Sequence, residues 1–196
     1  MPVSSLCSPH SPTECQEQEA CVGSNMFIFL DNEASSLNLD SYPVEIAWVG
    51  EDGHSESFLI RPEPSWTDWS EDAEALHGLS RDRLIQEGHP AAIVAKRFLA
   101  ATVNCRIVTD APAFDRGWLK KLCGVVGERE PPVHPVLEAW VEALGSTHRE
   151  GSSVHDAALL AQIRTREERR NSCKHRALPD ALELWRVWKD LRTNAS

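Results

Sequence analysis

The sequence contains no unbroken run of about 18 apolar residues, so no stretch of it reads as a membrane-spanning helix. It has no CxxC pair among its six cysteines. It also has no basic segment leading into a greasy N-terminal stretch, the pattern of a secretory signal. Cys7, Cys15, Cys21, Cys105, Cys123 and Cys173 therefore read as reduced thiols of a cytoplasmic protein. There is no GxGxxG and no P-loop, which removes the two commonest phosphate cradles. No internal repeat is visible. Positive charge is scarce: 20 Lys and Arg stand against 30 Asp and Glu, a net of −10. A long duplex-binding surface needs basic stripes, and this chain is short of them. The acidic excess leaves room for carboxylates clustered around divalent cations.

What is present is one domain's worth of chain, 196 residues, 41% of them apolar. Residues 1–24 are rich in Ser, Pro, Glu and Cys, lack periodicity and read as a flexible leader ahead of a domain over 25–194. Cys7, His10, Cys15 and Cys21 match no standard zinc spacing. Met26–Leu30 is a continuous apolar run of strand length. Val44–Gly50 and Ser57–Ile60 are two more strand candidates, joined by the turn signal Glu51-Asp52-Gly53.

Helical patterns follow over Ser70–Leu76, Arg81–Gln86 and Ala91–Thr102, then a short strand at Cys105–Thr109 and helices at Phe114–Leu122 and Pro135–Leu144. Ser153-Val-His-Asp156 reads as a capping box opening a helix to about residue 170. The last helix is predicted from Ala177 to Leu191, with Ala177, Ala181, Leu184, Trp188 and Leu191 on one face. Three strands, then alternating helix and strand, predict an α/β domain.

Three segments carry candidate chemistry. Asp31 and Glu33 stand two apart at the end of the first strand, so their side chains point to one face. Two buried neighbouring carboxylates repel, and a hard cation such as Mg²⁺ or Mn²⁺ relieves this. Carboxylates simply ending a strand in solvent would show the same tripeptide. Asp115 follows a strand and opens a helix, between the anchors Phe114 and Trp118. An acidic residue favouring the helix dipole would look the same. In His175-Arg-Ala-Leu-Pro-Asp180, five helical steps turn the chain about 500°, about 140° net. His175 and Asp180 thus share no helical face, and Pro179 belongs in a first turn. The pattern places His175 on the loop before the helix, where it can lean over Asp180.

Taken together, the order and spacing of these segments resemble the DEDDh 3′→5′ exonucleases, the family of ribonuclease T, oligoribonuclease and the bacterial proofreading exonuclease. The resembling motifs are Asp31-Asn-Glu33, Phe114-Asp115 and His175-x-Ala177-x-x-Asp180, with Leu76-His-Gly-Leu-Ser80 similar to a further family segment. The resemblance covers about residues 26–192. It implies a ribonuclease-H-like mixed β-sheet, three leading strands then parallel strands, flanked by helices. It implies that Asp31, Glu33, Asp115 and Asp180 hold two divalent ions, Mg²⁺ or Mn²⁺, about 4 Å apart. It implies His175 as general base, suited to proton transfer near neutrality.

The implied substrate is single-stranded or short RNA or DNA, released as nucleoside 5′-monophosphates, and a homodimer is a further expectation. Ser35, Leu37 and His77 are the expected substrate contacts. Here Glu33 is followed by Ala34-Ser-Ser-Leu37, where the family often has Thr-Thr-Gly-Leu. Asp110-Ala-Pro likewise stands where His-Asn-Ala is frequent. Trp66 and Trp69 lie in a turn-rich loop, either stacking on bases or anchoring the loop. Two other readings are a catalytically silent nucleic-acid binder of the same fold and a hydrolase of dinucleotides or other small phosphodiesters.

Overall fold

A computed structural model describes residues 26–145, 158–165 and 175–194. The expected leader, the whole capping box Ser153–Asp156 and the boundaries of its helix lie outside the described residues, as do the four cysteines other than Cys105 and Cys123. Among the described residues a six-stranded mixed sheet is flanked by seven helices. No helix there is long and apolar enough to cross a membrane.

The chain opens with β1 (Phe27–Ala34), β2 (Pro43–Gly50) and β3 (Ser55–Arg61). Each pairs antiparallel with the next. The β2–β3 turn falls at the predicted place, where Gly53 takes φ +85°, a conformation other residues resist. Helices α1 (Glu71–His77) and α2 (Arg81–Glu87) follow, each capped by a serine, Ser70 and Ser80, whose hydroxyl accepts a first-turn N–H. Next come β4 (His89–Pro90), α3 (Ala91–Ala101), β5 (Arg106–Thr109), α4 (Pro112–Gly124), β6 (Val133–Pro135) and α5 (Val136–Leu144). Residues 158–165 are helical and form α6. The last helix, α7, spans Ala177–Asn194, three residues beyond its expected end.

The strand order is β4-β3-β2-β1-β5-β6. β5 runs parallel to β1, and β6 parallel to β5. Neither β4 nor β6 is legible in the sequence. Both are very short, lie at the sheet edges and end in a proline that caps the next helix, and prolines in strands are tolerated at edges.

Each face of the sheet carries its own core. Ile28 and Leu30 of β1 pack with Val44, Ile46 and Trp48 of β2 against Val94 and Phe98 of α3 and Leu119 and Leu122 of α4. Phe27 and Phe29 pack on the other face against Trp140 of α5 and Ala177, Ala181, Leu184 and Trp188 of α7. The α7 stripe read from spacing alone is the one buried. β1 is buried along its whole length, so its side chains alternate between two apolar layers, and this parity governs the site.

Candidate metal centre

Asp31 and Glu33 continue the Phe27–Phe29 parity and therefore face α7. Both are buried, each 8% exposed, at the C-terminal end of β1. Asp180 comes to them from the first turn of α7, where its N–H closes onto the Arg176 carbonyl at 3.2 Å. One carboxylate oxygen from each of Asp31, Glu33 and Asp180 lies within 4.8 Å of the others. Three buried or half-buried carboxylates so close repel one another unless a cation sits among them. The donor set is oxygen only and fits a hard divalent ion.

His175 sits on the loop immediately before α7, as its incompatibility with Asp180 on one helical face requires. Its Nδ1 lies 3.7 Å from Asp180 Oδ2. Its backbone N–H donates to the Leu76 carbonyl at 3.1 Å, which ties the loop to the end of α1.

Asp115 is placed differently. It is buried in the first turn of α4, which packs on the opposite face of the sheet from α7. Its Oδ1 accepts from Asn32 Nδ2 at 2.8 Å and its Oδ2 from Thr109 Oγ1 at 2.6 Å. It is not part of the three-carboxylate group. Asn32, the middle residue of Asp-x-Glu, points away from its two neighbours and reaches Asp115 instead. Its Oδ1 is buried without a hydrogen-bond partner among the described residues.

Beside the triad is a cleft of about 390 Å³, lined in part by Glu33, Leu37, His77 and Trp118. Leu37 is 75% exposed at its rim. His77 is buried. Its Nδ1 accepts from Leu79 N–H at 3.0 Å, so in the neutral ring the proton sits on Nε2, an atom with no partner of hydrogen-bonding geometry among the described residues. Burial holds the His77 pKa below its ordinary value. The carboxylates of Glu45 and Glu74 and the nearby Ala34 carbonyl pull upward without reversing it, and Arg176 adds to the lowering.

Ser35 is fully buried. Its hydroxyl donates to Asp68 Oδ2 at 3.0 Å and accepts from Tyr42 N–H at 3.1 Å, so it braces the loop from within rather than facing the cleft. Ser36 and Asn38 also donate to Asp68. Burial alone would raise the Asp68 carboxyl. The three donors and the charge of Lys121 outweigh it and hold the pKa below the ordinary value. Trp66 is buried and stacks on Tyr42, with ring centroids 5.3 Å apart. Trp69 donates its indole N–H to Glu74 at 2.9 Å. Both tryptophans anchor the loop.

Sequence reading missed Asn32, Thr109, Asp68 and an ion pair between a buried glutamate and a half-buried arginine. Glu45 of β2 is 2% exposed. It accepts from Arg176 Nε at 2.8 Å, from Arg176 Nη2 at 2.7 Å and from the Ala177 N–H at 3.1 Å. The available signal was a lone charge inside the apolar run Val44–Val49. A buried charge in such a place requires a partner.

No family model and no characterised protein matches the sequence. Solved structures match the fold. Exonuclease I in its apo form has a TM-score of 0.60 at 16% identity, over 87% of this chain and 42% of that one. E. coli exonuclease I in complex with a dT13 oligonucleotide gives 0.60 at 17% identity, over 87% and 41%. The zinc-ion-bound E. coli exonuclease I–ssDNA complex gives 0.60 at 15% identity, over 88% and 41%. The chain spans less than half the length of these proteins. The fold implied by the resemblance to DEDDh exonucleases is thus the fold observed.

Proposed function

We propose that the protein is a metal-dependent 3′→5′ exonuclease that shortens single-stranded or short RNA or DNA and releases nucleoside 5′-monophosphates. The observation that carries this reading is the convergence of Asp31, Glu33 and Asp180 within 4.8 Å, at the end of β1. It is supported by the fold shared with exonuclease I, which has been solved with single-stranded oligonucleotides.

In this reading Asp31, Glu33 and Asp180 hold divalent ions, Mg²⁺ or Mn²⁺, and Asp115 completes the set of four. Bound there, such ions offset charge on the phosphoryl oxygens and acidify water. His175 takes the proton of the attacking water. Asp180 Oδ2 lies 3.7 Å from His175 Nδ1, so the proposed base stands directly beside the proposed metal ligands. His77 lines the wall of the cleft, and Leu37 offers an apolar rim for the terminal base.

The cleft volume of about 390 Å³ is that of a small-molecule site, which favours a second reading: hydrolysis of dinucleotides and other small phosphodiesters. Single strands of RNA and DNA, labelled at either end and incubated with Mg²⁺ or Mn²⁺, test the main reading. The expected product is a mononucleotide released first from the 3′ end. Cleavage of dinucleotides alone supports the second reading. No cleavage of any substrate leaves a catalytically silent binder of this fold.

A further inference from the structure

We propose that Glu45 and Arg176 form a clamp that positions His175 and Asp180 for the reaction. The proposal rests on the exonuclease reading above and adds two positioning residues to it.

β1 and β2 pair with Glu33 opposite Glu45, so both carboxylates lie on the face that α7 covers. Like charges directly opposite one another destabilise a sheet. Yet Glu45 lies on the strand next to the triad, nearly inaccessible to water. The Arg176 fork grips it with two parallel N–H···O bonds of 2.8 and 2.7 Å. Bidentate geometry of this kind fixes orientation as well as distance.

The position of Arg176 in the chain gives the pair its reach. It follows His175 directly. Its carbonyl accepts the Asp180 N–H at 3.2 Å, closing the first turn of α7. Neither His175 nor Arg176 belongs to the Ser, Thr, Asp and Asn side chains that ordinarily cap a helix. Glu45 fills that role from another strand, accepting the Ala177 N–H at 3.1 Å. The His175 backbone is then held on two sides, by the Leu76 carbonyl through its own N–H and by Glu45 through the next residue. One buried carboxylate on the rigid sheet sets the origin of α7, and with it the general base and one metal ligand. Glu45 touches neither substrate nor metal in this account and acts through its neighbours.

The experiment compares the parent with Glu45→Gln and with the double variant Glu45→Met/Arg176→Met, in which apolar side chains of similar length replace both partners. Truncating one partner of a buried pair can unfold a protein, whereas replacing both is often neutral. The double variant therefore separates positioning from folding. Both variants are expected to lose about 10–100-fold in kcat on a 3′-labelled single strand at saturating Mn²⁺, with KM little changed. The His175 ring resonances in NMR spectra are expected to shift in both. A folded double variant with parental kcat overturns the proposal, and so do unmoved His175 resonances. A parent that releases no nucleotide sinks the exonuclease reading instead, and the clamp is then judged by the His175 resonances alone.

Discussion

The side-chain amide of Asn32 donates to Asp115 at 2.8 Å, although Asn32 lies between two carboxylates that face the other way. The alternation of β1 thus distributes the acidic residues. Asp31 and Glu33 meet α7 on one face, and Asn32 meets α4 on the other. Asp115 is linked to Asp31 and Glu33 through Asn32 of the strand that carries them. Thr109, the last residue of β5, donates to the second carboxylate oxygen. Two donors from different strands therefore hold the Asp115 carboxylate in place.

The first prediction concerns that alignment. Thr109→Val keeps the shape of a fully buried side chain and removes two hydrogen bonds, the one its hydroxyl donates to Asp115 at 2.6 Å and the one it accepts from the Ala111 N–H at 3.3 Å. Stability in urea is expected to fall by about 1.5–3 kcal/mol. An unchanged unfolding midpoint and slope would show that Asp115 does not depend on Thr109.

The second separates ligand from base. Mn²⁺ is expected to raise the melting temperature of the parent, by an amount equivalent to about 2.7 kcal/mol at a hundredfold excess over Kd. Asp180→Asn is expected to weaken this shift, with excess Mn²⁺ restoring part of the activity. His175→Ala is expected to keep the Mn²⁺ shift and lose about 10²–10⁴-fold in turnover. Near-normal turnover in His175→Ala at saturating metal would remove His175 as the base. Loss of the metal shift as severe as in Asp180→Asn would make it a ligand.

The third concerns direction along the substrate. A free 3′ end is expected to be required, and a 3′-phosphate to block digestion by bringing further negative charge to the acidic cluster. A circular single strand is expected to remain intact on a denaturing gel. Internal fragments from it would mark an endonuclease.

The fourth follows from His77. Its folded-state pKa lies below the ordinary 6.5, because burial disfavours the charged ring despite Glu45 and Glu74 nearby. The unfolded chain then binds the proton more readily than the folded one. The contribution to stability is full above about pH 6.5 and is lost as the pH falls below that value toward the folded-state pKa. His77→Asn retains an acceptor for the Leu79 N–H without titrating there. Chemical denaturation of both proteins between pH 7 and pH 5 is expected to show a steeper loss in the parent. Parallel curves would mean that His77 does not gain its proton on unfolding.

The sequence by itself determined the local parts. The β1 run, the turn at Gly53, the serine caps Ser70 and Ser80 and the α7 stripe are encoded within a few residues, by alternation, backbone freedom and helical period. So are the shared face of Asp31 and Glu33 and the place of His175 outside α7, since strand parity and Pro179 admit no other arrangement. The tertiary structure decided which groups those side chains meet. β4 and β6 exist only because the sheet offers them an edge. Ser35 faces inward because the Asp68 carboxylate waits beneath it, 33 residues away. Glu45 finds Arg176 across 131 residues and Asn32 finds Asp115 across 83. Hydrogen bonds between distant segments leave no periodic trace, because their geometry is set by how the sheet and helices pack.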